Sequence, residues 1–367
     1  MSLRGVLLSR NNIWRFLKSW RKLDYVIGRT TWSFYWDAFY LVRELQKNFR
    51  LNAHISYNPQ NARNKLLHFG DRYVFLDVFC KTIHPSNRIF LTWFHGDPGD
   101  TDNGFDRLFA RLQETQKQIE RIVVPCRITY EALESAGIPS EQLALIPLGV
   151  DLTVFRPAHP YERTHIRKAL GIPEYAFCIG SFQKDGIGWD EGMEPKLIKG
   201  PDIFIETINT LYRSYPDIFV LLTGPARGYV KKLLTKIGVP FVHTVLHNYH
   251  DIAAYYGALD LCLITSRCEG GPKALLESWA CAVPVVATQV GMAADCIEHC
   301  RNGMVVPLDR VATLADCVAE LHDNPQLRQQ IIHAAHATVQ QFDWACIAAQ
   351  YYRELYRAHS AQTKSNA

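Results

Sequence analysis

Glu269 and Glu277 stand eight residues apart across Gly270-Gly271-Pro272, a spacing that suits the holding of a sugar phosphate. The run before them, Leu261-Cys262-Leu263-Ile264-Thr265, reads as a buried strand. Pro272 fits the first turn of a following helix, where its missing N–H costs nothing. Gly270 and Gly271 would then offer backbone N–H groups to an anion at the helix N-terminus. A carboxylate at Glu269, ahead of the helix, can accept hydrogen bonds from sugar hydroxyls; one at Glu277, more than a turn inside, can reach a ribose. The same residues also fit an ordinary surface helix, with Glu269 as its cap and Glu277 paired with Lys273 at i,i+4.

The surrounding order of motifs is more specific than the glutamates alone. Val283-Pro284-Val285-Val286-Ala287-Thr288 leads to Val290-Gly291 and then to Arg301-Asn302-Gly303-Met304-Val305-Val306. Upstream lie Val123-Val124-Pro125, Ile138-Pro139, the run Leu143 to Asp151, and Phe155-Arg156-Pro157. In this order the chain resembles the retaining GT-B glycosyltransferases of family 4 (glycosyl transferases group 1), whose signature is E-x7-E, a short buried strand, a glycine-containing donor loop and an N-G turn. The resemblance covers most of the chain. It implies an α/β fold of two Rossmann-like domains facing each other across a cleft. It also implies transfer of a sugar from a nucleotide-diphosphate donor to a hydroxyl of a glycan, lipid-linked or small-molecule acceptor.

Members of that family carry an Arg soon after the first glycine of a donor loop and a Lys in a K-G pair. The two cations grip the donor diphosphate and stabilise charge on the leaving phosphate. Here the loop runs from Gly180 to Gly188, with Ser181 at the usual Arg position and Lys184 as the nearest substitute, while Lys199-Gly200 matches K-G. A Lys supplies a point charge where Arg supplies a fork. Loop lysines are ordinarily solvated, and that alternative stays open for both. In the first half, the apolar run Ile89 to Phe94 ends in His95-Gly96-Asp97, where the resemblance implies a histidine that hydrogen-bonds the transferred sugar. A lone histidine there would read as structural. Gly28-Arg29-Thr30-Thr31 is a one-glycine counterpart of the family's early loop, which normally has two adjacent glycines.

The implied assignment makes His95, Glu269 and Lys199 catalytic. Lys184, Ser181, Gly270, Gly271, Pro272, Glu277 and Gly28 would bind the donor. The resemblance implies a front-face reaction, in which the donor phosphate oxygen takes the acceptor proton and the protein supplies position and charge stabilisation. No cofactor is expected beyond the nucleotide sugar as co-substrate, and no metal. Asp100-Thr101-Asp102 is a D-x-D triplet, by which another glycosyltransferase class holds a divalent cation, but it lies in the half without the E-x7-E and K-G elements and reads as an acidic turn. Two rival classes remain: a GT-B protein that binds nucleotide sugars or carbohydrate without turnover, and a nucleotide-sugar epimerase, which needs no acceptor.

The elements that must position these residues alternate short apolar runs with longer helical patterns. Arg121 to Val124, Ala176 to Gly180, Ile218 to Thr223, Asp260 to Thr265 and Val283 to Ala287 read as strands of parallel sheets covered by helices. The hinge is expected at Pro157 to Pro160. This gives an acceptor-binding domain over 1–158, a nucleotide-sugar domain over 159–345, and a last helix over 346–367 that crosses back to the first domain. In such sheets the loops after Ile179, Leu222 and Ile264 converge.

Composition sets outer limits. With 367 residues, 48% hydrophobic and 21% charged, the chain can bury two ordinary cores. No run approaches the ~18 apolar residues of a membrane span, and Met1 to Asn12 lacks the pattern of a signal peptide, so a cytoplasmic location is expected. The ten cysteines are scattered; Cys296, His299 and Cys300 cluster without a fourth spaced ligand. Net charge is +4, yet ten Lys or Arg fall within residues 1–50. There Ile13 to Lys22 interleaves aromatics with cations, which suits peripheral contact with an anionic membrane or an acidic acceptor as well as an ordinary surface helix. No RNP, zinc-finger or helix-turn-helix pattern accompanies the basic residues, and nucleic acid is not an expected partner.

Overall fold

The computed structural model describes residues 22–30 and 33–357. The basic, aromatic stretch from Ile13 to Arg21 and the tail from Thr363 to Ala367 lie outside the described residues. Apolar runs of three to six residues form the strands of two six-stranded sheets, and every strand pairing in them is parallel. The chain divides into two compact units, Met1–Gly149 with Trp344–Ala367, and Val150–Asp343.

In the first unit, β1 (Lys22–Val26), α1 (Ser33–Phe49), β2 (Asn52–Ser56), β3 (Leu66–Phe69), β4 (Arg88–Thr92), α2 (Phe105–Thr115), β5 (Ile119–Val124), α3 (Arg127–Ser135) and β6 (Leu143–Leu145) follow in sequence. The sheet order is β2-β1-β3-β4-β5-β6. Parallel neighbours need crossovers, and the helices and loops between strands supply them.

The second unit holds α4 (Pro160–Ala169), β7 (Phe177–Phe182), α5 (Pro201–Tyr212), β8 (Ile218–Thr223), α6 (Gly228–Ile237), β9 (Phe241–Thr244), α7 (Ile252–Gly257), β10 (Leu261–Ile264), α8 (Lys273–Ala280), β11 (Val285–Thr288), α9 (Gly291–Cys296), β12 (Met304–Val306), α10 (Leu314–Asp323) and α11 (Pro325–Val339). Its order, β12-β11-β10-β7-β8-β9, is the doubly wound 3-2-1-4-5-6 arrangement counted from β7. Every residue of β8, β10 and β11 is buried, as expected of strands covered on both faces. Ile179, Val220 and Leu263 of the sheet pack with Phe204 of α5, Leu234 of α6 and Val318 of α10 in one core. Two Rossmann-like α/β units, the expected fold class, are therefore present.

Residues 150–158, expected with the first domain, group with the second. The Val150 N–H donates to Phe342 O at 2.9 Å, and Phe155 is buried with its ring 5.7 Å from that of Tyr249 and 6.2 Å from that of Tyr256. After Asp343 the chain returns to the first unit as α12 (Trp344–Tyr351), followed by a π turn over Tyr352–Tyr356. Gly149 makes room for this helix: a Cβ there would lie 2.5 Å from the Trp344 ring. Tyr356 and Thr92 bracket a fully buried His68, at 2.6 Å from Nδ1 and 2.8 Å from Nε2. Burial pushes the His68 imidazole down to a pKa of about 3, so it is neutral in the folded protein. Among the described residues no helix is long and apolar enough to cross a membrane.

Candidate functional site

In an open parallel sheet, ligands bind beyond the carboxyl ends of the strands where the strand order reverses. In the second unit that point lies between β7 and β10. The loops leaving these strands carry Gln183 to Gly200 and Thr265 to Pro272. They are joined backbone to backbone: the N–H groups of Arg267 and Cys268 donate to Ile198 O at 2.8 and 3.1 Å. Gly200 has φ +61°, and a Cβ there would sit 1.8 Å from Thr265 O, so only glycine lets the loops approach this closely. Thr265 Oγ1 then donates to Gly200 O at 2.8 Å. The approach brings Lys199 Nζ to 2.5 Å from Glu269 Oε1, which also accepts from Ser266 Oγ at 3.0 Å. Both side chains keep a limited opening to solvent, 21% for Lys199 and 13% for Glu269.

The Gly270-Gly271-Pro272 turn does open a helix, but α8 begins at Lys273 and Pro272 precedes the first turn instead of occupying it. Its ψ of 111° is extended. The Gly270 carbonyl accepts from Met292 N at 2.8 Å, and Gly291, at φ +51°, has no room for a side chain against that carbonyl. The N–H groups of Gly270 and Gly271 make no hydrogen bond among the described residues, and Gly270 itself is buried. Glu277 is buried on α8 and does not lie on a solvated face. The Tyr249 hydroxyl donates to its Oε1, and the Tyr256 hydroxyl to its Oε2 at 2.7 Å. Burial, reinforced by the nearby carboxylate, holds the Tyr256 hydroxyl well above its ordinary pKa, so it stays protonated as a donor.

Ser181, expected in the donor-binding set, is 1% exposed at the end of β7. Its hydroxyl and carbonyl are taken up by Arg227, at 3.0 and 2.7 Å. The same guanidinium donates to Gln183 O and Thr223 O, each at 2.9 Å, and pairs with Asp185 through Nε at 2.9 Å. Neither side chain of that pair is exposed. Burial pushes the Asp185 carboxyl up, and Arg227 opposes the shift. From Asp185 the chain makes a small antiparallel hairpin: Ile187 N donates to Glu194 O at 2.9 Å and Lys196 N to Asp185 O at 2.8 Å. Lys184 stands at its base with Nζ 4.3 Å from the Trp189 ring centroid.

In the first unit, His95 follows β4. Trp93 N donates to Val123 O at 2.8 Å, Thr129 Oγ1 donates to Phe94 O at 3.0 Å, and Arg72 donates to His95 O. The backbone is thus fixed at three successive residues, with the His95 ring edge-on to Phe105 at 5.4 Å. Gly28 has an ordinary backbone, and a Cβ there would meet nothing closer than 3.4 Å. Of the D-x-D carboxylates, Asp100 serves its own turn, accepting from Asn103 N and Nδ2 at 2.9 and 2.8 Å. Among the described residues no group of three or more His, Cys, Asp or Glu is arranged to hold a metal ion, and all ten cysteines are free.

Sequence reading missed Tyr249, Tyr256, Asp185 and Arg227. The tyrosines lie 28 and 21 residues before Glu277, beyond any local pattern. Arg227 is 46 residues from the Ser181 it binds. Only the turn-forming Gly186, Gly188, Gly192 and Pro195 signalled that the segment after Lys184 folds back on itself.

Residues 194–338 match the family described as Glycosyl transferases group 1. The D-inositol 3-phosphate glycosyltransferase of Arthrobacter sp. (strain FB24) is 30% identical over 220 residues, 57% of this chain and 48% of its own. The lipopolysaccharide core biosynthesis mannosyltransferase LpsB of Rhizobium meliloti (strain 1021) is 28% identical over 189 residues, 49% of this chain and 50% of its own. The chain thus spans about half the length of these curated relatives. Among solved structures, Anabaena HepE in complex with UDP-glucose aligns with a TM-score of 0.75 at 17% identity, over 92% of this chain and 99% of that one. The sucrose-phosphate synthase of Thermosynechococcus elongatus aligns at 0.64 and 19%, over 80% and 74%. At these identities the two structures show a shared fold and nothing finer.

Proposed function

We propose that this chain, whose residues 194–338 match the glycosyl transferases group 1 family and whose fold is shared with GT-B structures, moves a sugar from a nucleoside diphosphate to an acceptor hydroxyl with retention of configuration. The observation that carries the reading is the Lys199–Glu269 pair at the strand-order reversal of the second unit, just before the start of α8. A cation and a helix N-terminus favour a diphosphate, and an adjacent carboxylate favours sugar hydroxyls. HepE, which shares the fold, holds UDP-glucose, and this supports a nucleotide sugar as the donor.

In the proposed front-face reaction the acceptor oxygen bonds the anomeric carbon on the face that the diphosphate leaves. The bond from that carbon to the phosphate oxygen breaks, and the freed phosphate oxygen takes the acceptor's proton. Glu269 orients the sugar, Lys199 and the Gly270 and Gly271 N–H groups stabilise the departing charge, and Glu277, fixed by two tyrosines, receives the ribose. For His95 the support is the order of motifs along the chain. The acceptor is a hydroxyl of a glycan, lipid-linked or small molecule.

Ser181 in the place of the usual Arg, with its hydroxyl buried against Arg227, favours a second reading, a nucleotide-sugar-binding protein without turnover. A panel of nucleoside diphosphates and their sugars, scored by thermal stabilisation and by diphosphate release, tests both. A ligand at a hundred times its Kd adds about 2.7 kcal/mol to the stability of the folded state. Stabilisation with release supports transfer, and stabilisation without release across an acceptor panel supports the second reading. No stabilisation by any nucleotide sinks both.

A further inference from the structure

The hairpin between β7 and α5 brings the backbone of a third lysine, Lys196, against the turn that bears Lys199. Lys196 N donates to Asp185 O at 2.8 Å, which closes the hairpin against Lys184, and Lys196 O accepts from Lys199 N at 2.8 Å, which stacks the turn bearing Lys199 upon it. The base is anchored by the fully buried Asp185–Arg227 pair, and Tyr229 N of α6 donates to Gly192 O at 3.0 Å from below. Lys196 is half-buried, and its ammonium has no hydrogen-bond or ion-pair partner among the described residues. Burial pushes its pKa down, and Lys199 and Lys184 push it further, with Glu269 alone opposing. Of the three lysines on this segment only Lys199 has a carboxylate partner among the described residues, Glu269.

We propose that Lys196 is a phosphate-binding residue that holds the donor diphosphate together with Lys184 and Lys199; the inference rests on the donor site proposed above. A single Lys is a point charge and cannot reproduce the fork of an arginine. Two lysines at the two ends of one hairpin supply two point charges from different directions. The diphosphate carries enough charge and acceptor oxygens to engage all three, and its negative charge offsets the repulsion among the lysines. Among the described residues the Lys184 ammonium is held only by the face of a Trp189 that is 65% exposed, so it can turn from the ring to a phosphate.

Titration calorimetry on the full chain tests this, with uridine diphosphate, inorganic pyrophosphate and uridine as probes at two salt concentrations. Lys196→Met should bind uridine diphosphate and pyrophosphate about tenfold more weakly, as expected for one lost charge-assisted contact. Its salt dependence should be shallower, and uridine affinity should not change. Lys196→Arg should recover most of the loss, and neither variant should melt below the wild type. If Lys196→Met binds both anions as tightly as the wild type while Lys199→Ala does not, this inference fails and the donor site stands. If the wild type binds neither anion, the donor site fails and the inference goes with it.

Discussion

Replacing Glu269 with Gln keeps the shape and the acceptor oxygen but removes the charge that engages Lys199. Glu269 Oε1 takes both Lys199 Nζ at 2.5 Å and Ser266 Oγ at 3.0 Å. A charge-assisted hydrogen bond contributes about 1.5–3 kcal/mol against about 0.5–1.5 for a neutral one. The remaining exposure of both side chains discounts the difference to roughly 1 kcal/mol. An incoming diphosphate must compete with Glu269 for the Lys199 ammonium, and the Gln variant removes that competitor. Nucleoside diphosphate affinity should therefore hold or rise, by up to about fivefold for 1 kcal/mol. Turnover should fall by about a hundredfold, because a sugar that has lost its charged anchor no longer holds its anomeric carbon in line. Calorimetry with the nucleoside diphosphate and initial rates at saturating donor give the two numbers. A variant with tenfold weaker diphosphate binding, or with wild-type turnover, would refute the reasoning.

Three further outcomes follow from the same structure. Gly200→Ala forces a Cβ to within 1.8 Å of Thr265 O at φ +61°; denaturant unfolding should show a loss of about 2–4 kcal/mol, and diphosphate binding should weaken as Lys199 moves from Glu269. His68 is held neutral with a pKa of about 3 against an ordinary 6.5, so the unfolded chain takes up a proton that the folded chain refuses. The associated stability is complete above pH 6.5 and drains away as pH falls toward 3; about 2 kcal/mol should be gone at pH 5, and a His68→Gln variant should show a flatter pH dependence. Asp100→Ala combined with Asp102→Ala should leave donor affinity intact, and transfer should survive excess EDTA, because the positive charge at the donor site comes from lysines and a helix N-terminus. Activity abolished by chelator and restored by magnesium or manganese would contradict this.

Much of the fold was legible because parallel strands buried on both faces must be apolar throughout. Ile218–Thr223 was read from end to end, and the runs ending near Ile179 and Ile264 gave the two strands that flank the order reversal. Lys199, Gly200 and Glu269 were singled out through the resemblance, as its K-G pair and the first glutamate of its E-x7-E; the structure brings the two elements together, with Gly200 where the loops touch. Contacts between distant segments left no such trace. Arg227 occupies Ser181 from 46 residues away, so the buried serine looked like a ligand residue. The Lys196 backbone meets Asp185 only when the hairpin closes. The boundary at Gly149 was displaced in the sequence reading because Pro157 to Pro160 is the more visible punctuation, whereas the burial of Phe155 decides where that segment belongs.

The central claim is that Lys199 grips the diphosphate of a nucleotide donor at the reversal point of the second sheet. Calorimetric titration of Lys199→Ala and the wild type with the same nucleoside diphosphate, in EDTA, measures that grip directly. The account predicts one site in the wild type and binding weaker by about 1.5–3 kcal/mol in the variant, roughly ten- to a hundredfold, with no change for the bare nucleoside. Equal affinity of the two proteins for the diphosphate would contradict it.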